Sequence, residues 1–420
     1  MLLAQLSRIA APPTMAPTST YSRGNSQNAF HRLPVELRLK IIRASADLSS
    51  LWSLIDASPT MAIVFNTYAV EIVDAFIATT VPSSIQCLMR AVLRVQASSV
   101  LSCHYHSWEE SSNIILETSN QLDPAEINNP ELLRRFLSLA HKIHVLAHTC
   151  IDHYIQRSMA MRPSSLIRLG PYHGLFRGAN KIQAFDTAES RPYQPRNTGP
   201  PSWVEEQRAI KALWRIQFFS ELKLAQNEGR LDWSGEDLEM LESTSLASFY
   251  SSIQAFEQDQ VATIWEFMQE RGGVLSDSIP SISQQPTAFL REGFNVNCAP
   301  QPFPIYAEDR FNQGEVYLDN ASMCWLFHKC YYSGHLKLSP TPGISFEPYR
   351  KFGFAIWDNK RITDLGFGMD NVGNVALIER TKDHYIIGLW NDDYTWDLAK
   401  IYYVWYSVLT EEEKFLSRSQ

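Results

Sequence analysis

The stretch Leu33-Pro34-Val35-Glu36-Leu37-Arg38-Leu39-Lys40-Ile41-Ile42 decides how the chain is read. Proline has no N–H to lose, so Pro34 suits the first turn of a helix, and Leu37 and Ile41 then lie four apart on one face. Asp47 offers a side-chain acceptor to the open N–H groups of a second helix, in which Leu48, Leu51, Leu54 and Ile55 recur at helical spacing. Ser58-Pro59 ends it, and Met61, Val64, Phe65 and Tyr68 repeat the spacing in a third. Helices this short are marginal alone and must bury their apolar faces against something.

The pattern resembles the F-box, a three-helix module that opens with Leu-Pro-x-Glu-Leu and continues into a hydrophobic Ile pair, here Ile41-Ile42. The elements Leu48-Ser49-Ser50-Leu51 and Ala57-Ser58-Pro59 are similar to the variant found in large fungal F-box-like families. That resemblance implies docking on the Skp-type adaptor of an SCF ubiquitin ligase. Carried over by position, it implies adaptor contacts from Leu33, Pro34, Leu37 and Ile41 in the first helix and from Leu51 and Leu54 in the second. The third helix departs from the family's basic-aromatic sequence and reads Thr60-Met61-Ala62-Ile63-Val64-Phe65. A proline followed by apolar residues at four-residue spacing also opens ordinary core helices, so a helical scaffold with no ligase role is the alternative.

Two later segments extend the resemblance. Ser202 and Glu205 form a capping-box pair ahead of Gln207-Arg208-Ala209-Ile210-Lys211-Ala212-Leu213-Trp214, which is similar to a Gln-Arg-Ala-x-x-Arg-Phe helix of the fungal proteins. Ile210, Leu213, Trp214 and Gln217 share one side of it, and Gly229 is placed to stop it. Gly353-Phe354-Ala355-Ile356-Trp357-Asp358-Asn359-Lys360-Arg361-Ile362 is similar to an element near their C-termini. An indole and a carboxylate at a helix start are expected as core and cap, so Trp357 and Asp358 read as structural.

Working outward, residues 1–32 are acid-poor and rich in Ser, Thr, Pro and Ala, which reads as a disordered tail, with a mitochondrial presequence as the minor alternative. Residues 33–75 form the F-box-like module and 76–173 a helical block, whose best helix spans 131–158 with Phe136, Leu139, Ile143, Ala147, Cys150 and Tyr154 in one stripe. Residues 174–202 are rich in Pro, Gly, Arg and Asn and read as a loop or hinge before a second helical block at 203–415. Within that block Leu365-Gly366-Phe367-Gly368 reads as a turn.

Charge and cysteine usage narrow the function. With 37 Lys+Arg against 45 Asp+Glu the net charge is −8 with no basic stripe, so nucleic acid is not an expected partner. No apolar run reaches the roughly 18 residues of a membrane helix. Cys87, Cys103, Cys150, Cys298, Cys324 and Cys330 form no C-x-x-C pair and read as reduced thiols, which places the chain in the cytoplasm or nucleus.

His141, His144 and His148 share a helix face with Asp152 one turn on, a spacing able to present imidazoles to a metal. That face is turned from the apolar stripe, no H-E-x-x-H accompanies it, and a solvated row with no metal is the expectation. Nucleophile elbow, phosphate loop and dinucleotide fingerprint are all missing, and the acidic pairs Glu109-Glu110 and Asp392-Asp393 read as surface or turn. The expected protein is mainly α, non-catalytic and without cofactor: an F-box-like module, followed by an irregular multi-helical domain, linking an unknown protein substrate to the Skp-type adaptor, with an enzyme of dispersed active site as the minor alternative after the helical scaffold.

Overall fold

The computed structural model describes residues 29–97, 127, 129–169, 185–272, 341, 344–368, 379–381, 384–386 and 392–418. The expectations on Cys103, Glu109-Glu110, Cys298, Cys324, Cys330 and most of the N-terminal tail lie outside them. The tail's last four residues, Ala29–Arg32, form a 3₁₀ turn rather than disorder. The Leu33 amide closes that turn on the Phe30 carbonyl, and Arg38 Nε donates to Leu33 O at 2.8 Å.

The protein is mainly helical. Helices α1 (Val35–Arg43), α2 (Leu48–Ala57), α3 (Pro59–Thr67) and α4 (Ala69–Thr80) follow each other with one- to four-residue breaks. Asp47 caps α2 by accepting from the Ser50 amide, and Ser58 caps α3 through the Met61 amide, so these two breaks supply partners for open N–H groups of the helices they begin. Among the described residues no single helix is long and apolar enough to cross a membrane; α3 and α4 reach that composition only together, and they meet at 90°.

Helix α5 (Ser83–Ala97) follows Val81-Pro82. Helix α6 (Pro130–Ala160) is capped by the Asn129 side chain, and the six residues of its predicted stripe are all buried. Against α6 stand α2, α3, α4 and α5. Helix α7 (Trp203–Asn227) packs on α5, α6 and α10 (Ala255–Gly272). The predicted one-sided stripe understates it, because α7 is buried nearly all round from Gln207 to Leu222, with Ile210 alone half-buried. Gly229, at φ +68°, ends it as expected.

The short helices α8 (Gly235–Ser243), α9 (Leu246–Phe249), α11 (Glu347–Arg350) and α12 (Asn359–Asp364) lie around this frame, followed by α13 (Asp392–Ser407) and α14 (Glu411–Arg418). The loop expected at 174–202 instead contains a strand. Strand β1 (Ser164–Arg168) pairs antiparallel with β2 (Glu189–Pro192), with a register break between Leu166 and Arg168, and α13 lies against β1. A second antiparallel pair joins β3 (Glu379–Thr381) to β4 (His384–Ile386).

One buried apolar cluster runs from Ile42 to Leu409 and draws on the N-terminal module and both helical blocks. The boundary read at 174–202 therefore does not divide the core.

Candidate functional site

The residues implied in adaptor binding divide by depth. Pro34 precedes α1 with an extended ψ of 153°, and its ring is exposed. Leu37 keeps 44% of its surface open and Val35 41%, whereas Ile42 in the last turn of α1 is fully buried. Helix α3 lies beside α1 and adds Ile63, 66% exposed. Leu33, Ile41 and Leu54 are half-buried. Leu51 departs from its expected surface role: it is 0% exposed, because α2 lies along α6 and turns Leu48, Leu51 and Ile55 into the core. The exposed apolar residues here are Pro34, Val35 and Leu37 at the start of the first helix and Ile63 of the third. Sequence reasoning missed Val35 and Ile63, since exposure of an apolar residue follows from which neighbours exist rather than from helical spacing.

The histidine row corrects a second expectation. His141, His144 and His148 are half-buried, facing the start of α2 and the first turn of α7 rather than solvent. Ser49 Oγ and His141 Nδ1 are 2.7 Å apart, and the His144 and His148 rings are 4.6 Å apart and tilted by 55°. Burial lowers the pKa of all three; His144 falls to about 4, with the His148 and His141 rings adding to burial and Asp47 opposing. Burial pushes the Glu206 carboxyl up to about 8, with Glu205 and Asp47 adding to it.

His148 Nε2 and Glu206 Oε1 stand 3.8 Å apart, beyond a hydrogen bond. Burial drives both to their neutral forms, so this contact is not an ion pair at neutral pH. Among the described residues no group of three or more His, Cys, Asp or Glu is arranged to hold a metal ion. The Ser49–His141 pair has the atom types of a nucleophile and its base, but the hydroxyl is buried between α2 and α6 and serves there to satisfy the ring.

The Trp357-Asp358 element is built into the core, as its residue types suggest. Asp358 caps α12 through the Arg361 amide, and the fully buried Trp357 donates its indole N–H to Phe352 O at 2.8 Å. Gly353, at φ +75°, allows this approach: a Cβ there would stand 2.7 Å from Tyr154 Cβ and 2.8 Å from Trp357 Cζ2. Arg361 binds Glu205 Oε1 at 2.8 Å and Pro200 O at 2.8 Å, and its guanidinium lies 5.0 Å from the Trp357 ring centre. The Glu205 carboxylate also accepts from the Ser202 and Asp358 amides, joining the start of α7 to the start of α12. Burial raises the Glu205 pKa, and Arg361 offsets part of that rise.

A second buried charge cluster lies farther along α7. Lys211 and Arg215 both reach Glu257 of α10 at 2.8 Å. Burial alone would raise the Glu257 carboxyl, but the two cations outweigh it and hold its pKa below the ordinary value.

No family model, no curated protein and no solved structure matches this chain.

Proposed function

We propose that the chain is a non-catalytic interaction protein of the F-box-like type, working in the cytoplasm or nucleus. Its N-terminal helices dock on the Skp-type adaptor of an SCF ubiquitin ligase, and the helical body holds a target protein for ubiquitylation. The observation that carries this reading is the exposure of the apolar residues Pro34, Val35, Leu37 and Ile63 on the neighbouring helices α1 and α3. Exposed apolar residues grouped on adjoining elements mark a surface that a partner covers. The docking residues are then Leu33, Pro34, Val35, Leu37, Ile41 and Ile63, with Leu54 at the margin.

A scaffold without ligase connection is the second reading, favoured by the burial of Leu51 and the packing of α2 on α6. On that view the N-terminal helices complete the core of the body.

Co-purification of the full chain with a fungal Skp-type adaptor separates the two, using a Leu37→Asp variant whose far-UV circular dichroism matches the wild type. Stable complex formation that the variant loses is expected. Failure of the folded wild-type chain to bind would remove the ligase from the account.

A further inference from the structure

A groove of about 360 Å³ opens between α9, α10 and α11, at the small end of the range in which ligand pockets fall. Leu246, Tyr250, Val261 and Phe346 give it a buried apolar lining, and the half-buried indole of Trp265 stands beside them. Asp259 and Arg350 are the charged residues of the lining, and they answer each other: Arg350 Nε donates to Asp259 Oδ1 at 2.7 Å. A concavity of this size, neutral in sum, suits a molecule of roughly one or two rings rather than a folded partner.

Two lining residues keep hydrogen-bonding capacity in reserve. Gln258 spends its amide nitrogen on the Ser251 and Ile253 carbonyls, at 3.0 and 2.8 Å, which leaves its own carbonyl oxygen without a donor. Arg350 spends Nε on Asp259 and one terminal nitrogen on Glu266 Oε1 at 2.7 Å, which leaves the other terminal nitrogen without an acceptor. A guanidinium has more N–H donors than two such contacts use. Asp259 directly follows Gln258 in α10, so its hold on Arg350 brings that donor to the part of α10 that carries the Gln258 acceptor. Tyr250, by contrast, donates its hydroxyl to Arg215 O and offers the groove its ring.

We propose that this groove binds a small uncharged aromatic carboxamide, its ring against Trp265 and Phe346, its carbonyl accepting from Arg350 and its N–H donating to the Gln258 carbonyl. Aromatic rings pack offset or edge-on against one another, which suits a flat guest among Trp265, Tyr250 and Phe346. The lining selects against charge. A carboxylate would compete with Asp259 and Glu266 for Arg350, and an ammonium would compete with Arg350 for the same two carboxylates, so either leaves a charge imperfectly paired. The assignment stands independently of adaptor docking, which uses α1 and α3.

The test is saturation-transfer NMR of the full chain titrated with benzamide, benzoate and benzylamine, which share one ring and differ in the charge of the group attached to it. Benzamide is expected to bind ~5-fold more tightly than either charged probe, the scale of one net hydrogen bond. In Ala262→Leu, which puts a larger side chain at a half-buried lining position, benzamide binding is lost. In Arg350→Lys, which keeps the cation beside Asp259 and removes the spare nitrogen, the preference for benzamide disappears. The extra volume of Ala262→Leu lies in the groove itself, so that variant remains informative if Arg350→Lys fails to fold. The proposal is overturned by no binding of benzamide to the folded wild-type chain, by equal or tighter binding of a charged probe, by undiminished benzamide binding in Ala262→Leu, or by a preference that survives in folded Arg350→Lys.

Discussion

Helices α1 and α7 reverse the usual distribution of side chains in different ways. In α1 the apolar residues Val35 and Leu37 stand in solvent and Ile42 alone is buried, whereas α7 buries Glu205, Arg208, Lys211, Arg215 and Glu221. The charges of α7 are tolerated because partners meet them: Glu205 has Arg361, Lys211 and Arg215 share Glu257, and Arg208 donates to the Ile356 and Trp357 carbonyls. The apolar residues of α1 have no such answer within the described residues. Internal pairing is what separates a polar core helix from one that leaves apolar residues in solvent, and composition does not.

The contrast can be broken most strongly at Arg361. Its removal in Arg361→Ala leaves the buried Glu205 carboxylate without its cation and is expected to cost about 3–5 kcal/mol in urea unfolding. Adding Glu205→Gln should restore part of that loss. A single-variant cost under about 1 kcal/mol would mean that water, not Arg361, supports Glu205.

Ile42 and Leu37 provide the next comparison, on one helix. Ile42→Ala removes a fully buried side chain, with an expected cost of about 2–5 kcal/mol, whereas Leu37→Ala should stay within about 0.5 kcal/mol. Chemical denaturation of both variants checks this, and equal costs would contradict the depth difference across α1.

A smaller effect lies in pH. The folded pKa of Glu206, about 8, stands above its ordinary 4.5, so its contribution to stability is full below pH 4.5 and is lost as pH rises through 8. His144 runs the other way, from an ordinary 6.5 down to about 4, and its contribution is lost as pH falls through that interval. The two oppose each other between pH 4.5 and 6.5, and above 6.5 the Glu206 loss continues without that opposition. The urea midpoint should therefore fall between pH 6.5 and 8, and less steeply in Glu206→Gln. Identical slopes would refute the assignment of that loss to Glu206.

Local chemistry was the legible part of the sequence. Asp47 before an apolar periodic run, Ser202 three residues before Glu205, and Asp358 before a short helix each announced a cap, because a cap is decided by residues within one turn. The stripe on α6 was legible for the same reason. What escaped depends on distant partners. Leu51 was read as surface because nothing near it in sequence specifies α6, and the histidine row was read as solvated because α2 and α7 return to it from far along the chain. Strands β1 and β2 gave little warning, since Ser164-Ser165-Leu166-Ile167-Arg168 and Glu189-Ser190-Arg191-Pro192 lack a clear apolar-polar alternation. The groove beside Trp265 brings α10 and α11 together across 74 intervening residues, between Gly272 and Glu347, and no spacing rule reaches that far.

The packing of α2, α3 and α4 on α6 has a consequence for how this protein could have been assembled. A module that stands on its own core can be exchanged between chains by recombination. Here, cutting after Thr80 would strip the cover from α6 and open its histidines to water. The N-terminal helices and the body therefore share one packed contact, and a sequence change that alters one side of it changes the surroundings of the other.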